Sequence, residues 1–133
     1  MSEPMTVEVV SPKRLLYSGE ATMVITRTLG SGEIAFQPSH AAFLGALTEC
    51  HTRVYLTDGN VEDIAVHGGF VEVSSNKVSI LSDAAELGSQ IDVERARRAK
   101  ERAEEQLRHA HDAGAVSALG RAHARLNAAG ATV

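Results

Sequence analysis

The sequence predicts an α+β protein in which an N-terminal antiparallel β-sandwich is followed by a C-terminal antiparallel hairpin of two helices. Before Asp83, apolar and polar residues alternate with a period of two, and turn signals recur roughly every 8 to 12 residues, as in sandwiches of short strands. After Asp83, apolar residues recur every three or four positions, as on one face of a helix. We therefore predict a sandwich domain over residues 1–87 and a helical hairpin domain over residues 88–133.

Alternation within the first domain indicates half-buried strands. In CHTRVYLT, residues 50–57, every second side chain from Cys50 onward lies on one face. In ATMVITRT, residues 21–28, Met23 and Ile25 share a face and alternate with two threonines and a valine. Aromatic residues make up only 4% of the chain, so aliphatic side chains are expected to fill the core.

Two residue pairs predict reversals of the chain. Asp58-Gly59 and Ser75-Asn76 favour the tight turns that join antiparallel strands. The segments on either side of each pair alternate like strands. Each pair is therefore predicted to join a β-hairpin.

The first helix is predicted to begin at Val93, because Asp92 is a good N-cap residue. The segment HAHDAG, residues 109–114, is expected to end it. Its apolar face is narrow and consists mostly of alanine, at Ala96, Ala99, Ala103, Leu107 and Ala110.

The second helix is predicted to carry Val116, Leu119 and Leu126 on one side and to end near Gly130. Gly120 weakens its middle by about 1 kcal/mol relative to alanine. Two helices with so few large apolar residues cannot hold themselves together firmly, because isolated helices of this length are marginal in water. The hairpin is therefore expected to pack on another surface and to be able to leave it.

The composition argues against a membrane-spanning protein, an exported protein and a disulfide-rich protein. No apolar run approaches the roughly 18 to 20 residues that span a bilayer, and the N-terminus lacks the pattern of a signal peptide, so we expect a soluble protein that is not exported. A single cysteine, Cys50, excludes an internal disulfide framework and fits a reducing compartment.

The charge is divided between the two parts of the chain. Residues 1–91 hold 11 acidic and 5 basic residues, and residues 92–133 hold 6 acidic and 8 basic ones. No basic patch is interleaved with aromatic residues, which argues against nucleic acid as the main partner. The opposite signs instead allow the basic tail to dock on an acidic surface.

Several motifs in order closely resemble the epsilon subunit of bacterial F-type ATP synthases: VVSP, YSGEA, GEIAFQPSHAAFLGAL, GGFVEV, VSILSDAAE and IDVERARRAKERAEEQL. The resemblance covers almost the whole chain. It implies a non-catalytic rotor subunit whose sandwich binds the gamma subunit and the c-ring. It also implies a hairpin that can extend along gamma toward the alpha and beta subunits of the catalytic head and inhibit ATP hydrolysis. The expected location is peripheral, on the cytoplasmic face of the bacterial plasma membrane, with membrane contact only through the complex.

The resemblance assigns Glu33 and His40 to the end of the sandwich that faces the c-ring, in a polar loop. The sequence departs from the family here, since Ala35 and Ser39 stand where glycines are usual. Phe36-Gln37 likewise replaces a commoner aliphatic pair, so the loop is expected to be stiffer or differently bent. The residues alone favour a plainer interpretation, in which Glu33 is a solvated turn residue and His40 is a side chain that ties down the turn after Pro38.

A regulatory ATP site is the second assignment that the resemblance implies. Relatives that bind ATP on the folded hairpin share an Ile-Asp-x-x-Arg-Ala motif, an upstream acid, a further arginine and an Arg-Ala-x-x-Arg segment in the second helix. Arginine forks match phosphate oxygens, and carboxylates accept hydrogen bonds from adenine or ribose. No glycine-rich phosphate loop is present, so hydrolysis is not expected. The matching residues are Glu86, Ile91, Asp92, Arg95, Ala96, Arg102, Arg121 and Arg125.

A plainer interpretation of the charged helix remains open. Glu94 with Arg98 and Glu104 with Arg108 are spaced for helical ion pairs, each contributing about 0.2 to 0.5 kcal/mol. On this view the arginines are a solvated face. The alternative function is an adaptor in another assembly, built from the sandwich and the hairpin, that uses the hairpin as a coiled-coil docking element.

Other chemistry is not predicted. His109, His111 and His123 could meet across the hairpin turn, but without a nearby thiol such histidines are more often surface residues than zinc ligands. No nucleophile elbow or paired-acid site is present, so no catalytic residue is assigned. We expect no required cofactor and no metal, with ATP as a regulatory ligand.

Overall fold

The computed structural model describes residues 3–131, and the outer limits of the two predicted domains, residues 1 and 133, lie outside them. Seven strands precede a single 3₁₀ turn at Gly88–Gln90 and two α-helices. The strands are β1 (Met5–Val10), β2 (Leu15–Thr28), β3 (Gly32–Phe36), β4 (Phe43–Leu56), β5 (Val61–Ser74), β6 (Lys77–Leu81) and β7 (Ala85–Leu87). The helices are α1 (Val93–His109) and α2 (Ala113–Ala128). The α+β class is confirmed.

The strands form one sheet that closes on itself. Its order is β1-β6-β5-β4-β2-β3, β1 also pairs with β2, and β7 pairs with β5. Neighbouring strands run antiparallel, as predicted, with the exception of β1 and β6, which run parallel. Closure explains this exception: β1, β2, β4, β5 and β6 form a ring with an odd number of strands, and such a ring cannot alternate in direction throughout.

Both predicted β-hairpins are confirmed. β4 and β5 pair antiparallel around a turn in which Oδ1 of Asp58 accepts a hydrogen bond from the backbone N–H of Asn60 at 2.9 Å. β5 and β6 are joined by Ser75 and Asn76, whose φ angles are 50° and 61°. Positive φ at both central residues matches the turn whose twist suits paired strands.

The core is aliphatic, as expected, with the addition of the fully buried Phe36. The predicted orientation of the second strand is wrong: Val24 and Thr26 are buried, whereas Met23 and Ile25 are only half-buried. The threonines can lie inside because Oγ1 of Thr26 and Oγ1 of Thr52 form a hydrogen bond of 2.8 Å. A satisfied hydroxyl removes most of the cost of burying a polar group.

α1 begins at Val93, as predicted, and Oδ1 of Asp92 caps it by accepting from the backbone N–H of Arg95 at 3.1 Å. α1 ends and α2 begins within the predicted break, where Asp112 caps the second helix. Among residues 3–131, no helix is long and apolar enough to cross a membrane.

The predicted apolar faces of the helices need correction. Val116 is 46% exposed and Ala110, just past the end of α1, is also exposed. α2 lies between α1 and the sheet and contacts β4 and β5. It therefore buries two sides, and with one exception, Leu126, its buried residues are alanines: Ala115, Ala122, Ala124 and Ala128.

The buried apolar part of the contact between the hairpin and the sheet consists of a few small residues. Ala65 of β5 packs against Ala124 and Ala128 of α2. Ile91 of the linker, which is the segment 88–92 between β7 and α1, lies at the edge of this contact. The sandwich core, by contrast, contains no helical residue. Burial of alanine contributes much less than burial of leucine or valine, so the two parts are joined more weakly than the sandwich is packed.

We predict that a chain ending at Gly88 folds alone, because every member of the sandwich core is retained. Circular dichroism and amide NMR spectra should show an intact sheet. As a control, a chain ending at Asn76 loses Val78 and Ile80, both fully buried, and should not fold. An unfolded chain ending at Gly88 would contradict the prediction.

Candidate functional site

A cavity of about 330 Å³ opens where the linker and the two helices meet the sheet. Ligand pockets typically begin at about 300 Å³. It is lined by Glu86, Gln90, Ile91, Asp92, Arg95, Ala96, Ala99, Arg102 and Arg125. The β7 strand, the linker, α1 and α2 each contribute residues, so the cavity exists only while the hairpin is docked.

Glu86 and Arg125 join the sandwich to the hairpin in this cavity. Nε of Arg125 donates a hydrogen bond to Oε1 of Glu86 at 2.6 Å. Nε2 of His67, on β5, lies 3.0 Å from the same oxygen. Within residues 3–131, both contacts of this carboxylate use Oε1, which leaves Oε2 available to a ligand.

Electrostatics keep Glu86 ionised and His67 neutral. Burial raises the pKa of Glu86, but the hydrogen bonds from Arg125 and His67 outweigh it and hold that pKa below its usual range. Burial lowers the pKa of His67, and the charge of Arg125 adds to this against the opposing hydrogen bond to Glu86. At neutral pH the site therefore has a fixed carboxylate acceptor.

Two further arginines, Arg95 and Arg102, line the cavity. Among the described residues, the guanidinium groups of Arg95 and Arg102 have no hydrogen bond or ion pair. Both project from α1, where Asp92 fixes the first turn. An unpaired guanidinium in a concave site can bind phosphate oxygens through two parallel hydrogen bonds.

The plainer interpretation of the charged helix is only partly supported. Arg108 pairs with Glu105, and not with the predicted Glu104, and His109 also contacts Glu105 at 2.9 Å. Glu94 and Arg98 form no ion pair among the described residues. Pairing on the helix surface is therefore seen at the end of α1, whereas Arg95 and Arg102 of the cavity have no ion pair among the described residues.

The structure brings together most of the residues predicted for ATP binding. Of the predicted set, Arg121 is the one that does not line the cavity, although its charge reaches His67. The sequence interpretation did not assign Gln90, Ala99 or His67 to the site. No motif marks His67, which reaches Glu86 only because β5 pairs with β7.

The two residues predicted to face the c-ring have local partners. Glu33 lies in β3, and not in a loop as predicted, and its Oε2 is 3.4 Å from a guanidinium nitrogen of Arg53. His40 follows a turn in which Ser39 has a φ of 69°. Its ring packs edge-on against Phe36 at 4.9 Å, and its Nδ1 is 2.7 Å from the carbonyl oxygen of Ala41.

No metal centre is found in the part of the chain that the structure describes. Within residues 3–131, no three His, Cys, Asp or Glu side chains are placed to hold a metal ion. Of the three histidines that could have met across the hairpin turn, His109 lies with its Nε2 2.9 Å from Oε1 of Glu105.

Known protein families match nearly the whole chain, from residue 4 to residue 130. Residues 4–88 match the family model of the ATP synthase delta/epsilon chain, beta-sandwich domain, and residues 89–130 match that of its long alpha-helix domain. An ATP synthase epsilon chain from Brevibacillus brevis is 51% identical over 104 residues, 77% of each chain. One from Desulfitobacterium hafniense is 46% identical over 132 residues, 97% of this chain and 98% of the relative.

Solved structures share the fold. A chain of the mitochondrial ATP synthase of Euglena gracilis superimposes with a TM-score of 0.82 at 20% identity, over 97% of this chain and 82% of that one. A chain from the central stalk and c-ring of the Tetrahymena thermophila enzyme gives a TM-score of 0.60 at 17% identity, over 98% of both chains.

Proposed function

This chain belongs to the epsilon-chain family of ATP synthases, and from this membership we propose that it regulates ATP hydrolysis through its hairpin. It is a non-catalytic subunit of the central stalk of an F-type ATP synthase. In the proposed mechanism the docked hairpin permits hydrolysis. The extended hairpin lies along the gamma subunit and presents its basic residues to the alpha and beta subunits of the catalytic head.

The weak attachment of the hairpin supports this mobility. Alanines form the centre of the contact between α2 and the sheet, and alanine burial contributes little free energy. The bridge between Glu86 and Arg125 is part-buried. A partner or ligand with a modest preference for one state can therefore shift the equilibrium.

We propose further that ATP binds in the cavity and favours the docked state. The observation that carries this proposal is the convergence of Arg95, Arg102 and Arg125 with Glu86 and Asp92 at the junction of hairpin and sandwich. The arginines would bind the phosphates, and Oε2 of Glu86 would accept from the adenine amine or a ribose hydroxyl. Because its walls come from both domains, a ligand there stabilises docking by mass action.

Calorimetric titration of the full chain with ATP tests this proposal. The expected result is one ATP bound per chain, with weaker binding of inorganic phosphate, which lacks the base and ribose. The chain ending at Gly88 is the matched control, since it retains Glu86 but loses every arginine of the cavity. No heat of binding with the full chain, or equal binding by the truncated chain, would contradict the nucleotide role.

The gamma subunit is proposed to dock on an apolar patch of the outer sheet surface. Leu44, Phe70 and Leu81 are 69%, 55% and 49% exposed, and Phe70 and Leu81 are directly paired across β5 and β6. Exposed apolar residues that cluster in this way usually mark an interface. The chain ending at Gly88 retains them all, so it should still bind gamma in a pull-down, and Phe70→Glu in the full chain should abolish that binding.

The second proposed partner is the c-ring, at the end of the sandwich that carries Glu33 and His40. We predict that the double variant Glu33→Ala, His40→Ala weakens the coupling of hydrolysis to proton pumping, because both polar side chains are removed from that contact. Pumping and hydrolysis would be measured together in membrane vesicles. Glu20→Ala, at an exposed position of β2 outside both proposed contacts, is the control, and unchanged pumping in the double variant would contradict the assignment.

These partners imply a location. Bound to gamma and the c-ring, the chain would lie peripherally at the cytoplasmic face of the bacterial plasma membrane and contact it only through the complex.

A further inference from the structure

The side chain of His67 is buried between the sheet and the hairpin and has one unused nitrogen. It is 2% exposed, and Nε2 lies 3.0 Å from Oε1 of Glu86. Nδ1 is buried and has no hydrogen-bond partner among the described residues. Because an ionised carboxylate only accepts hydrogen bonds, Nε2 carries the hydrogen and Nδ1 holds a lone pair. The ring is therefore the neutral Nε2–H tautomer.

We propose that His67 positions Glu86 for the docked hairpin and the nucleotide site, and that protonation of His67 releases the hairpin. The inference rests on the docking equilibrium of the proposed function but does not require that ATP binds. Its basis is the shared oxygen: Oε1 of Glu86 accepts from His67 and, at 2.6 Å, from Nε of Arg125. His67 thus fixes from the sandwich side the carboxylate that Arg125 of α2 must reach.

The charges around His67 separate into those that stay and those that leave with the hairpin. Glu49 is its directly paired neighbour on β4, and Asp83 lines a neighbouring cavity with it. These acids and Glu86 belong to the sandwich and favour a charged ring in both states. Arg121 and Arg125 belong to α2, disfavour a charged ring, and are removed when the hairpin leaves.

A second proton on the ring therefore acts against docking. On Nδ1 it would create a buried donor without an acceptor, which is costly. It would also place a positive charge beside Arg121 and Arg125. When α2 leaves, water can reach the ring and both arginines are gone, so the protonated ring is better tolerated in the undocked state.

The sign of the pH dependence follows from this difference. Burial first, and then the charge of Arg125, lower the pKa of His67 in the docked state below its usual value of about 6.5. The ratio of docked to undocked chains is therefore highest while His67 is neutral and falls as the pH is lowered and the ring takes up a proton. For one proton, the ratio of docked to undocked chains falls by at most about tenfold per pH unit.

An NMR titration of the full chain without nucleotide, from pH 7.5 to 5, tests the inference. Imidazole nitrogen shifts report the tautomer and titration of His67, and the amide signals of Ala124 and Ala128 report docking. The expected result is an Nε2–H ring at pH 7.5, followed by movement of both sets of signals with one midpoint below 6.5. Docking signals that stay constant while His67 titrates would overturn the inference, as would an Nδ1–H ring.

Variants separate titration of His67 from a structural effect. His67→Gln retains an N–H donor for Glu86 but does not titrate, so its docking signals should be independent of pH. His109→Gln is the matched control, because Nε2 of His109 also lies 2.9 Å from a carboxylate oxygen, Oε1 of Glu105, but at the exposed end of α1, so this variant should retain the wild-type profile. Wild-type pH dependence in His67→Gln would overturn the inference. If that variant does not fold, the wild-type titration alone decides.

Nucleotide affinity gives a second measurement at pH 7.5. His67→Ala should weaken ATP binding several-fold because Glu86 loses its fixed donor, and His67→Gln should restore most of it. Equal affinity in wild type and His67→Ala would overturn the positioning role at the nucleotide site. If the wild type binds no ATP, the nucleotide proposal fails, whereas the pH titration still decides whether His67 controls docking.

Discussion

Replacing Arg95 by alanine is expected to weaken ATP binding by about tenfold or more, the roughly 1.4 kcal/mol of one charge-assisted contact. Arg95 lines the cavity, and its guanidinium has no partner within residues 3–131. It can therefore turn toward a phosphate without breaking an existing ion pair. Alanine has a higher helix propensity than arginine by only a few tenths of a kcal/mol, so α1 should remain intact. Calorimetric titration of both proteins with ATP would measure the change.

Arg98→Ala provides the matched control for this prediction. Arg98 is on the same helix and is exposed, but it does not line the cavity. The variant loses the same charge and should bind ATP nearly as tightly as the wild type. Equal losses in the two variants would indicate a general charge effect, and equal titrations of Arg95→Ala and wild type would leave the arginines as partner-docking charges.

Local features of the sequence were sufficient to predict most of the elements. The turn at Asp58-Gly59 and the cap at Asp92 depend on neighbouring residues, and the structure has both where they were predicted. The parallel pairing of β1 with β6 depends on closure of the whole sheet, which no local pattern encodes. The buried Thr26 was missed for a related reason, because its hydrogen-bond partner Thr52 lies on another strand.

The candidate site shows the same limit. Residues of one motif, such as Asp92 and Arg95, lie close together at the start of α1, so their spacing in the sequence was sufficient to predict that they share a site. Glu86 and Arg125 meet because the hairpin folds back onto β7, an arrangement that the resemblance implied and the residue pattern alone did not. His67 was overlooked because its role depends on strand pairing between β5 and β7 and on burial by α2. A single histidine in a strand sequence predicts neither that strand pairing nor that burial.

Replacing Gly88 by alanine is expected to undock the hairpin while leaving the sandwich folded. A Cβ atom at this position would lie 2.2 Å from the carbonyl oxygen of Ala128 and 3.0 Å from that of Asp63. Both obstacles are backbone atoms, so no side-chain rotation relieves the overlap. Overpacking of this kind costs about 1 to 3 kcal/mol. Because the contact between α2 and the sheet is weaker than the packing of the sandwich core, α2 should move away from the sheet while the sandwich stays folded.

Trypsin cleavage after Arg121 and Arg125 would measure the undocked population, because an isolated helix of this length is marginal and cleavage follows the open fraction. If the substitution destabilises the docked state by about 1.4 kcal/mol, cleavage should be roughly tenfold faster than in the wild type. Gly120→Ala is the control with the opposite sign: its Cβ would meet only Glu49, at 3.6 Å, and alanine should strengthen α2 by about 1 kcal/mol. If Gly88→Ala is cleaved no faster than wild type, the close approach of Ala128 to the linker does not govern docking. If its core amides also lose protection, the linker belongs to the folding unit of the sandwich, and the hairpin is not an independently released element.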